Sequence, residues 1–398
     1  MNILYISALA SEARIMKEYE RSGKNPGFAV QKFSRLLAKG LSENGANVLA
    51  LSNPPYVGGV KRYVHFHKEK EAGLKYKYVP YLNIPVLKHF CIFLYSFFYV
   101  LFWGGRERKD KAIVCDVLSI SICMGAMIAS KINRVLSVAV VTDIYDLMSV
   151  ETKKSIKVSI AGKLNAWYSS SFDKYILLTE QMNNIVNPKG HPHIVMEALC
   201  DSSIINTIEN SDAKKNYPRI VMYAGGLYEK YGLKMLTEGF IKANIEDAKL
   251  VYYGDGSYVE EYKKKCEKYS NLEYGGIVPT EIVVAEELRA SLLVNPRFTT
   301  EEFTKYSFPS KNMEYMASGT PLLTTKLPGM PSEYYRYVYL FDKETVDGYA
   351  EAIRKALSHT EQELRLFGYN AKQFVLQNKN NVQQGIRVLQ FLKKRCGE

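Results

Sequence analysis

The chain has 398 residues, 47% of them hydrophobic and 24% charged, with 53 Lys and Arg against 41 Asp and Glu. That is about two to three ordinary domain lengths, in a composition that excludes a disordered chain, a fibrous repeat and a low-complexity tract. The six cysteines show no C-x-x-C spacing. Neither a zinc site nor a disulfide framework is expected, and a reducing cytosol is the expected home.

The charge is unevenly placed. Residues 1–200 hold 26 Lys and Arg against 15 acids, a net +11, whereas residues 201–398 hold 27 against 26, a net +1. The front half therefore reads as the part that meets something anionic: nucleic acid, a phosphorylated substrate or the acidic face of a membrane. The thirty tyrosines are spread over both halves and form no RNA-binding motif, so nucleic acid is not an expected partner.

In chain order, "MNILYISALA" reads as an apolar strand without a basic leader, so no signal peptide is expected. An amphipathic helix in "AVQKFSRLLAKGLSENG" leads to the strand "ANVLALS". Between the basic stretches "KRYVHFHKEKEAGLKYK" and "RERKDK" lies "FCIFLYSFFYVLFW", residues 90–103, opened by Pro85 and closed by Gly104 and Gly105. Fourteen residues are too few to span a bilayer, so this helix is either a core helix or one that dips into the membrane face. His65 and His67 lie to one side of an extended run, and two histidines without a third ligand read as surface. Then follow "KAIVCD", a helix over "SISICMGAMIASKIN", "VAVVTD", a helix in "SIKVSIAGKLNAWYSSSF" and "KYILLT". This alternation predicts an α/β fold with a parallel sheet covered on both faces. Residues 201–217 are polar and without period, which places a linker there.

The second half restarts the pattern: "RIVMYAGGL", a helix over 232–243, "AKLVYYGDGS", a helix to Tyr269, "LEYGGIV", a helix around "TEIVVAEELRAS", "LLVNPR", and after "YVYLF" a helix over 344–357. Two doubly wound domains are predicted, with ligands outside the carboxyl ends of the strands. Three such ends stand out. Gly225 and Gly226 precede Lys230; Gly254, Asp255 and Gly256 precede a helix; "LLVNP" leads to Arg297. A lone glycine pair marks a tight turn, but three at matching ends suggest backbone brought close to a ligand.

"FPSKNMEYMASGTPLLTT", residues 308–325, predicts a short helix starting after Pro309 and ending at Gly319. With Ser310 as N-cap, Glu314 is not the carboxylate of a capping box. It is placed to accept the hydroxyls of a ribose, while free N–H groups near Ser310 and Lys311 hold a diphosphate. The alternative is a solvated Lys311–Glu314 pair worth a few tenths of a kcal/mol.

"YAGGLYEKYG", "YGDG", "GGIV", "LVNPR" and "SFPSKNMEYMASGTPLLTTKLPGMP", in this order and spacing, resemble the donor-binding domain of GT-B-fold glycosyltransferases. The group resembled is the retaining family 4, whose members often build bacterial surface polysaccharides. The match is strong over about residues 218–340, and "GFAVQKFSRLLAKGLSENGANV", opening at Gly27, resembles the first glycine-bearing loop on the acceptor side. The resemblance implies two Rossmann-like domains facing a cleft: an acceptor domain over 1–200, the linker 201–217, a nucleotide-sugar domain over 218–375, and a last helix within 376–398 returning to the first domain. It assigns the ribose to Glu314, backbone contacts with the base to Ile277, and the position of the family's first motif glutamate to Tyr306. Gly226 stands where an arginine is common, Lys230 matches the family's lysine, and Arg297 supplies the missing positive charge. Asp143 of "VVTDIYDLM" is the nearest match to a residue beside the reacting centre, as helper of the acceptor hydroxyl; otherwise it only caps the next helix. Asp146 shares that strand end, and Asp116 is a weaker candidate.

No D-x-D occurs, so no metal is expected, and the nucleotide-sugar is a substrate rather than a cofactor. G-x-S-x-G, H-E-x-x-H and the G-x-x-x-x-G-K phosphate loop are also missing. The expectation is a glycosyltransferase moving a sugar, with retention, from a nucleoside-diphosphate sugar (a UDP-sugar first) to a lipid-linked or polysaccharide acceptor at the inner face of the cell membrane. The alternatives are a nucleotide-sugar 2-epimerase of the same fold and a non-catalytic nucleotide-sugar-binding subunit.

Overall fold

Successive residues of the first strand, Ile3, Leu4, Tyr5 and Ile6, are all at most 1% exposed. A strand buried on both faces requires helices above and below it, which is the doubly wound arrangement. The computed structural model describes residues 1–23, 28–54, 56, 61–105, 110–144, 156–202 and 214–394, without the side chains of 28–30 and 156–162. Gly27, Asp146 and most of the linker expected at 201–217 fall outside the described residues.

The chain divides into two compact units, Met1–Leu199 with Asn381–Glu398, and Cys200–Asn380. In the first, β1 (Asn2–Ser7) is flanked by β2 (Asn47–Ser52) and by β7 (Lys111–Asp116). The short strands β3 (Tyr63–Val64), β4 (Glu69–Glu71), β5 (Leu74–Tyr78) and β6 (Tyr81–Leu82) lie between β2 and β7 in the chain. With β8 (Leu136–Val141), β9 (Lys174–Leu177) and β10 (His193–Val195), the sheet runs β10-β9-β8-β7-β1-β2-β5-β4, parallel except for the β4–β5 pair. The strand order reverses between β1 and β7, the crevice where such sheets bind ligands.

Its longer helices before residue 200 are α1 (Glu12–Ser22), α2 (Phe28–Glu43), α3 (Leu87–Gly105), α4 (Ile120–Asn133) and α5 (Ile156–Ser169). The helix expected over 90–103 is longer, 19 residues, and neither all buried nor all exposed. Ile92, Ser96, Val100 and Gly104 form one buried lane. It presses on α4 closely enough that a Cβ on Gly125 would stand 2.4 Å from the Phe93 carbonyl. Phe90, Phe98 and Phe102 on the outer side are 56%, 48% and 70% exposed.

The second unit holds β11 (Arg219–Ala224), α6 (Leu233–Ala243), β12 (Ala248–Tyr253), α7 (Val259–Cys266), β13 (Leu272–Gly276), α8 (Thr280–Arg289), β14 (Leu292–Asn295), α9 (Ser310–Ser318), β15 (Leu322–Thr324), β16 (Tyr339–Leu340), α10 (Val346–Leu357) and α11 (Glu361–Asn378). Its sheet, β13-β12-β11-β14-β15-β16, is parallel throughout and reverses order between β11 and β14. The last helix, α12 (Asn381–Lys393), belongs to the first unit, packed along α2. Two contacts seat it. Buried Lys174 donates to the carbonyls of Phe391 (2.7 Å) and Lys394, neutralising the negative end of the helix. Gly40 and Gly385 bring the α2 and α12 backbones together, a Cβ on Gly40 being 1.9 Å from the Asn381 carbonyl oxygen.

Gly40→Ala is expected to destabilise the protein by about 1–3 kcal/mol, against an intrinsic helix gain of about 1 kcal/mol. Urea denaturation checks it. An unchanged midpoint refutes a tight α2–α12 crossing.

Candidate active site

Hydrogen bonds interlock the loops at the carboxyl ends of β11, β12 and β13. Gly225 N–H donates to the Tyr253 carbonyl (2.9 Å), Leu227 N–H to Asp255 (2.8 Å), Tyr258 N–H to Leu227 (2.9 Å) and Gly254 N–H to Gly276 (2.9 Å). Gly254, at φ +125°, admits no side chain, because a Cβ would lie 1.9 Å from the Gly225 oxygen. Gly256 lies in the same lock, against Leu227. At Gly226, where an arginine is common in the resembled family, the Tyr228 ring stands 2.8 Å from where a Cβ would be, so a side chain there would have to displace that ring. Ile277, just past β13, is 71% exposed at this edge.

The two cations singled out in the sequence come to one aromatic side chain. Lys230 Nζ is 5.5 Å and the Arg297 guanidinium 4.8 Å from the centre of the Tyr231 ring, which also meets the rings of Tyr228 and Phe303. Neither has a carboxylate partner among the described residues. The Arg297 Nε is buried without a hydrogen-bond acceptor. Two cations without a carboxylate partner among the described residues thus meet one aromatic ring, one of them with an orphaned donor. Tyr306 ends the adjoining 3-10 turn Glu302–Lys305, its N–H donating to Phe303.

Helix α9 corrects one expectation. Its N-cap is Pro309, at φ −65° and ψ 116°, and Ser310 is the first helical residue rather than the cap. Proline has no side-chain acceptor, so no side chain caps this start. Lys311 and Glu314 pair at 3.0 Å with about a third of each side chain exposed, which is the local pair held open as the alternative. The helix is fixed from below. Asn295 at the end of β14 donates to Asn312 Oδ1 (2.6 Å), the Thr324 hydroxyl at the end of β15 donates to the Asn295 carbonyl (2.9 Å), and the Tyr315 hydroxyl accepts from Ala224 N–H (2.9 Å) at the end of β11. The uncapped start of α9 is thereby tied to the strand ends that flank the switch point. The sequence reasoning missed Tyr231, Asn295, Asn312, Tyr315 and Thr324. A polar residue at the last place of the apolar strands "LLVN" and "LLT" was the available signal.

In the first unit, Asp116 is the last residue of β7, and Asp143 lies two residues past β8. Asp116 is 3% exposed, and its Oδ1 accepts from Leu118 N–H (3.2 Å). Burial, with the Asp143 charge adding, pushes its carboxyl up to about 6 against that hydrogen bond. Burial also raises Asp143. The pair sits at the carboxyl ends beside this unit's own switch point. Among the described residues, no three His, Cys, Asp or Glu side chains gather as a metal site.

Residues 205–374 match the family model for glycosyl transferases group 1. No curated protein matches the chain in sequence. The whole chain shares its fold with GT-B glycosyltransferase structures. The Anabaena HepE protein in complex with UDP aligns at TM-score 0.63 and 13% identity, over 98% of this chain and 99% of that one. A UDP-forming α,α-trehalose-phosphate synthase from Burkholderia xenovorans aligns at 0.64 and 11%, over 98% of each chain. A glycosyltransferase from Rickettsia africae aligns at 0.62 and 14%, over 99% of each. The group 1 match covers the interlocked loops, both cations and α9.

A carboxyl raised in the folded state holds its proton more tightly folded than unfolded. Its contribution to stability therefore falls as pH rises from about 4 to about 6 and stays low above. Asp116→Asn removes the buried charge and is expected to gain about 2–3 kcal/mol over wild type at pH 7.5, the gain vanishing below about pH 4. Denaturant midpoints across that range test the sign. A variant equally affected at every pH contradicts it.

Proposed function

We propose that the chain is a glycosyltransferase that takes a sugar from a nucleoside-diphosphate donor, a UDP-sugar first among them. The sugar goes, with retention, to a lipid-linked or polysaccharide acceptor in cell-surface polysaccharide synthesis at the cytoplasmic face of the membrane. The observation that carries this reading is that Lys230 and Arg297 meet on Tyr231 beside the strands whose ends also hold α9. The group 1 match over the same residues supports it, as do the UDP complexes among structures of the same fold.

Breaking the bond from the anomeric carbon to the diphosphate sends an electron pair to the departing phosphate oxygen. Lys230, Arg297 and the N–H groups of Ser310 and Lys311 are preorganised cations and dipoles for that charge, in the place a divalent metal takes elsewhere, so no metal is required. Glu314 takes the ribose hydroxyls, exchanging part of its bond to Lys311 for them, and the Gly225, Gly226, Gly254 and Gly256 loops let backbone approach the nucleotide. Ile277 borders the base. The acceptor oxygen bonds to the anomeric carbon and its proton leaves to a base; Asp143, kept partly protonophilic by burial, is the carboxylate assigned to the acceptor hydroxyl.

The test is a thermal-shift and hydrolysis screen against a panel of nucleotide sugars with EDTA present. One nucleotide class is expected to raise the melting temperature. Glu314→Ala is expected to weaken that binding about 10-fold or more. Lys230→Ala and Arg297→Ala are expected to lower kcat by about 100-fold or more. A panel with no stabilising nucleotide, or binding indifferent to Glu314, overturns the reading.

A further inference from the structure

Lysines outside the candidate active site line an open pocket of about 490 Å³ in the first unit, formed by His65, Phe66, His67, Lys68, Lys77, Tyr78, Pro80 and Tyr95. Two features make it unusual. Its carboxylate neighbours on β4 are committed elsewhere. Glu69 accepts from Ser11, from Arg14 Nε (2.9 Å) and from the Tyr78 hydroxyl (2.6 Å). Glu71 accepts from the backbone N–H groups of Glu12 (2.8 Å) and Ala13 (3.3 Å) at the start of α1. Lys68 and Lys77 are left without a carboxylate among the described residues, and burial together with the Lys68 charge lowers Lys77. Lys77 Nζ rests instead 4.0 Å from the centre of the Tyr99 ring, which stacks on Tyr95. An entering anion would relieve both the repulsion and the uncompensated burial.

The second feature is what adjoins the pocket. At 100° per residue, α3 carries three lanes. Ile92, Ser96, Val100 and Gly104 form the buried lane; Tyr95 lines the pocket and Tyr99 beside it meets Lys77; Phe90, Phe98 and Phe102 face outward, continued by exposed Ile84, Val86 and Leu87. The tyrosine lane lies between the buried and the phenylalanine lanes, so the pocket and the exposed apolar strip border the same helix on adjacent faces. The helix is long and apolar enough to cross a membrane by length and composition, but its buried lane is packed on α4, which fits lying in an interface and not spanning it.

We propose that this pocket binds a lipid-borne phosphate, with Lys68 and Lys77 on the phosphate, His65 and His67 at the mouth, and the lipid chains lying along Phe90, Phe98 and Phe102. The proposal deepens the functional reading by giving the lipid-linked acceptor, or the membrane lipid around it, a place on the first unit; it is tested without any nucleotide sugar, so either can fail alone. The full chain is sedimented with phosphatidylcholine vesicles, with the same vesicles carrying phosphatidylglycerol, and with vesicles carrying a polyprenyl phosphate; inorganic pyrophosphate is titrated as the soluble arm. Binding is expected only where the phosphate-bearing head group carries a net negative charge, in the phosphatidylglycerol and polyprenyl phosphate vesicles and not on zwitterionic phosphatidylcholine, with pyrophosphate competing weakly. A Lys68→Ala and Lys77→Ala double variant is expected to lose about 30-fold in partitioning, and Phe98→Ser with Phe102→Ser about tenfold or more. Preference for the polyprenyl phosphate marks the acceptor as the source, and equal binding of both lipids marks the membrane; each supports the proposal. The phenylalanines are exposed, so their variant is expected to keep the wild-type melting temperature, which separates lost binding from lost folding. Absence of vesicle binding, or binding that survives the lysine variant, overturns it.

Discussion

The geometry of the candidate active site depends on a buried amide contact, Asn295 to Asn312 at 2.6 Å, closed into a network by Thr324. All three residues are at most 1% exposed. A buried amide left unsatisfied costs about 1–3 kcal/mol, and its hydrogen bonds, unlike apolar burial, are directional. The network is therefore satisfied in one placement of α9 and no other. Apolar Met313 and Met316 on the same helix supply the burial, while the amides decide where its uncapped end points. Orientation of those N–H groups matters more than their number, because a dipole helps a developing negative charge only if it is already aimed there.

The same placement explains why the surrounding backbone is so restricted. With α9 fixed to the ends of β11, β14 and β15, the loops after β11 and β12 have only the space between their own carbonyls. Gly232, at φ +81°, sits 2.0 Å in Cβ terms from the Pro296 oxygen, the residue that leads into Arg297. Arg297 is thus positioned through its main chain, with the Thr325 hydroxyl on its carbonyl, and its guanidinium has no carboxylate partner among the described residues. A salt bridge there would stabilise the empty protein and compete with the anion. The aromatic ring of Tyr231 holds both cations without neutralising them.

Much of this was legible in the sequence, because buried strands such as "KAIVCD" and "RIVMYA" and the glycines after them carry strong local signals. The α/β class, the second-half strand order of events and the three strand ends follow from those runs. Other elements lacked such a signal. Only Ile15 and Glu18 of α1 are buried, so that helix has almost no apolar lane to detect. In "LKYKY" the alternation was present, with Leu74, Tyr76 and Tyr78 buried and the lysines outward, but the charge drew attention from the period. Ser310 reads as a cap by residue type, yet the backbone turns helical one residue earlier because Pro309 already holds the φ of a helix entry. The convergence of Lys230 and Arg297 on Tyr231 is a tertiary fact joining β11 and β14, and no spacing in the chain encodes it.

Net charge also proves a poor guide to where a protein can hold an anion. The front half carries +11 and the back half +1, yet both contain cations without a carboxylate partner among the described residues. In the second unit, lysines such as Lys234, Lys249 and Lys263 are spent on surface pairs with glutamates, while Lys230 and Arg297 stand on the Tyr231 ring beside the switch point. In the first, Glu69 and Glu71 are drawn off by Arg14, Tyr78 and the start of α1, which leaves Lys68 and Lys77 exposed to each other across the pocket. The quantity that matters is the local remainder after hydrogen bonding, set by which carboxylates the fold has already occupied. On that measure the two units are alike: each occupies nearby acids with structure and holds a cation against aromatic rings, Lys77 on Tyr99 in the first and Lys230 and Arg297 on Tyr231 in the second.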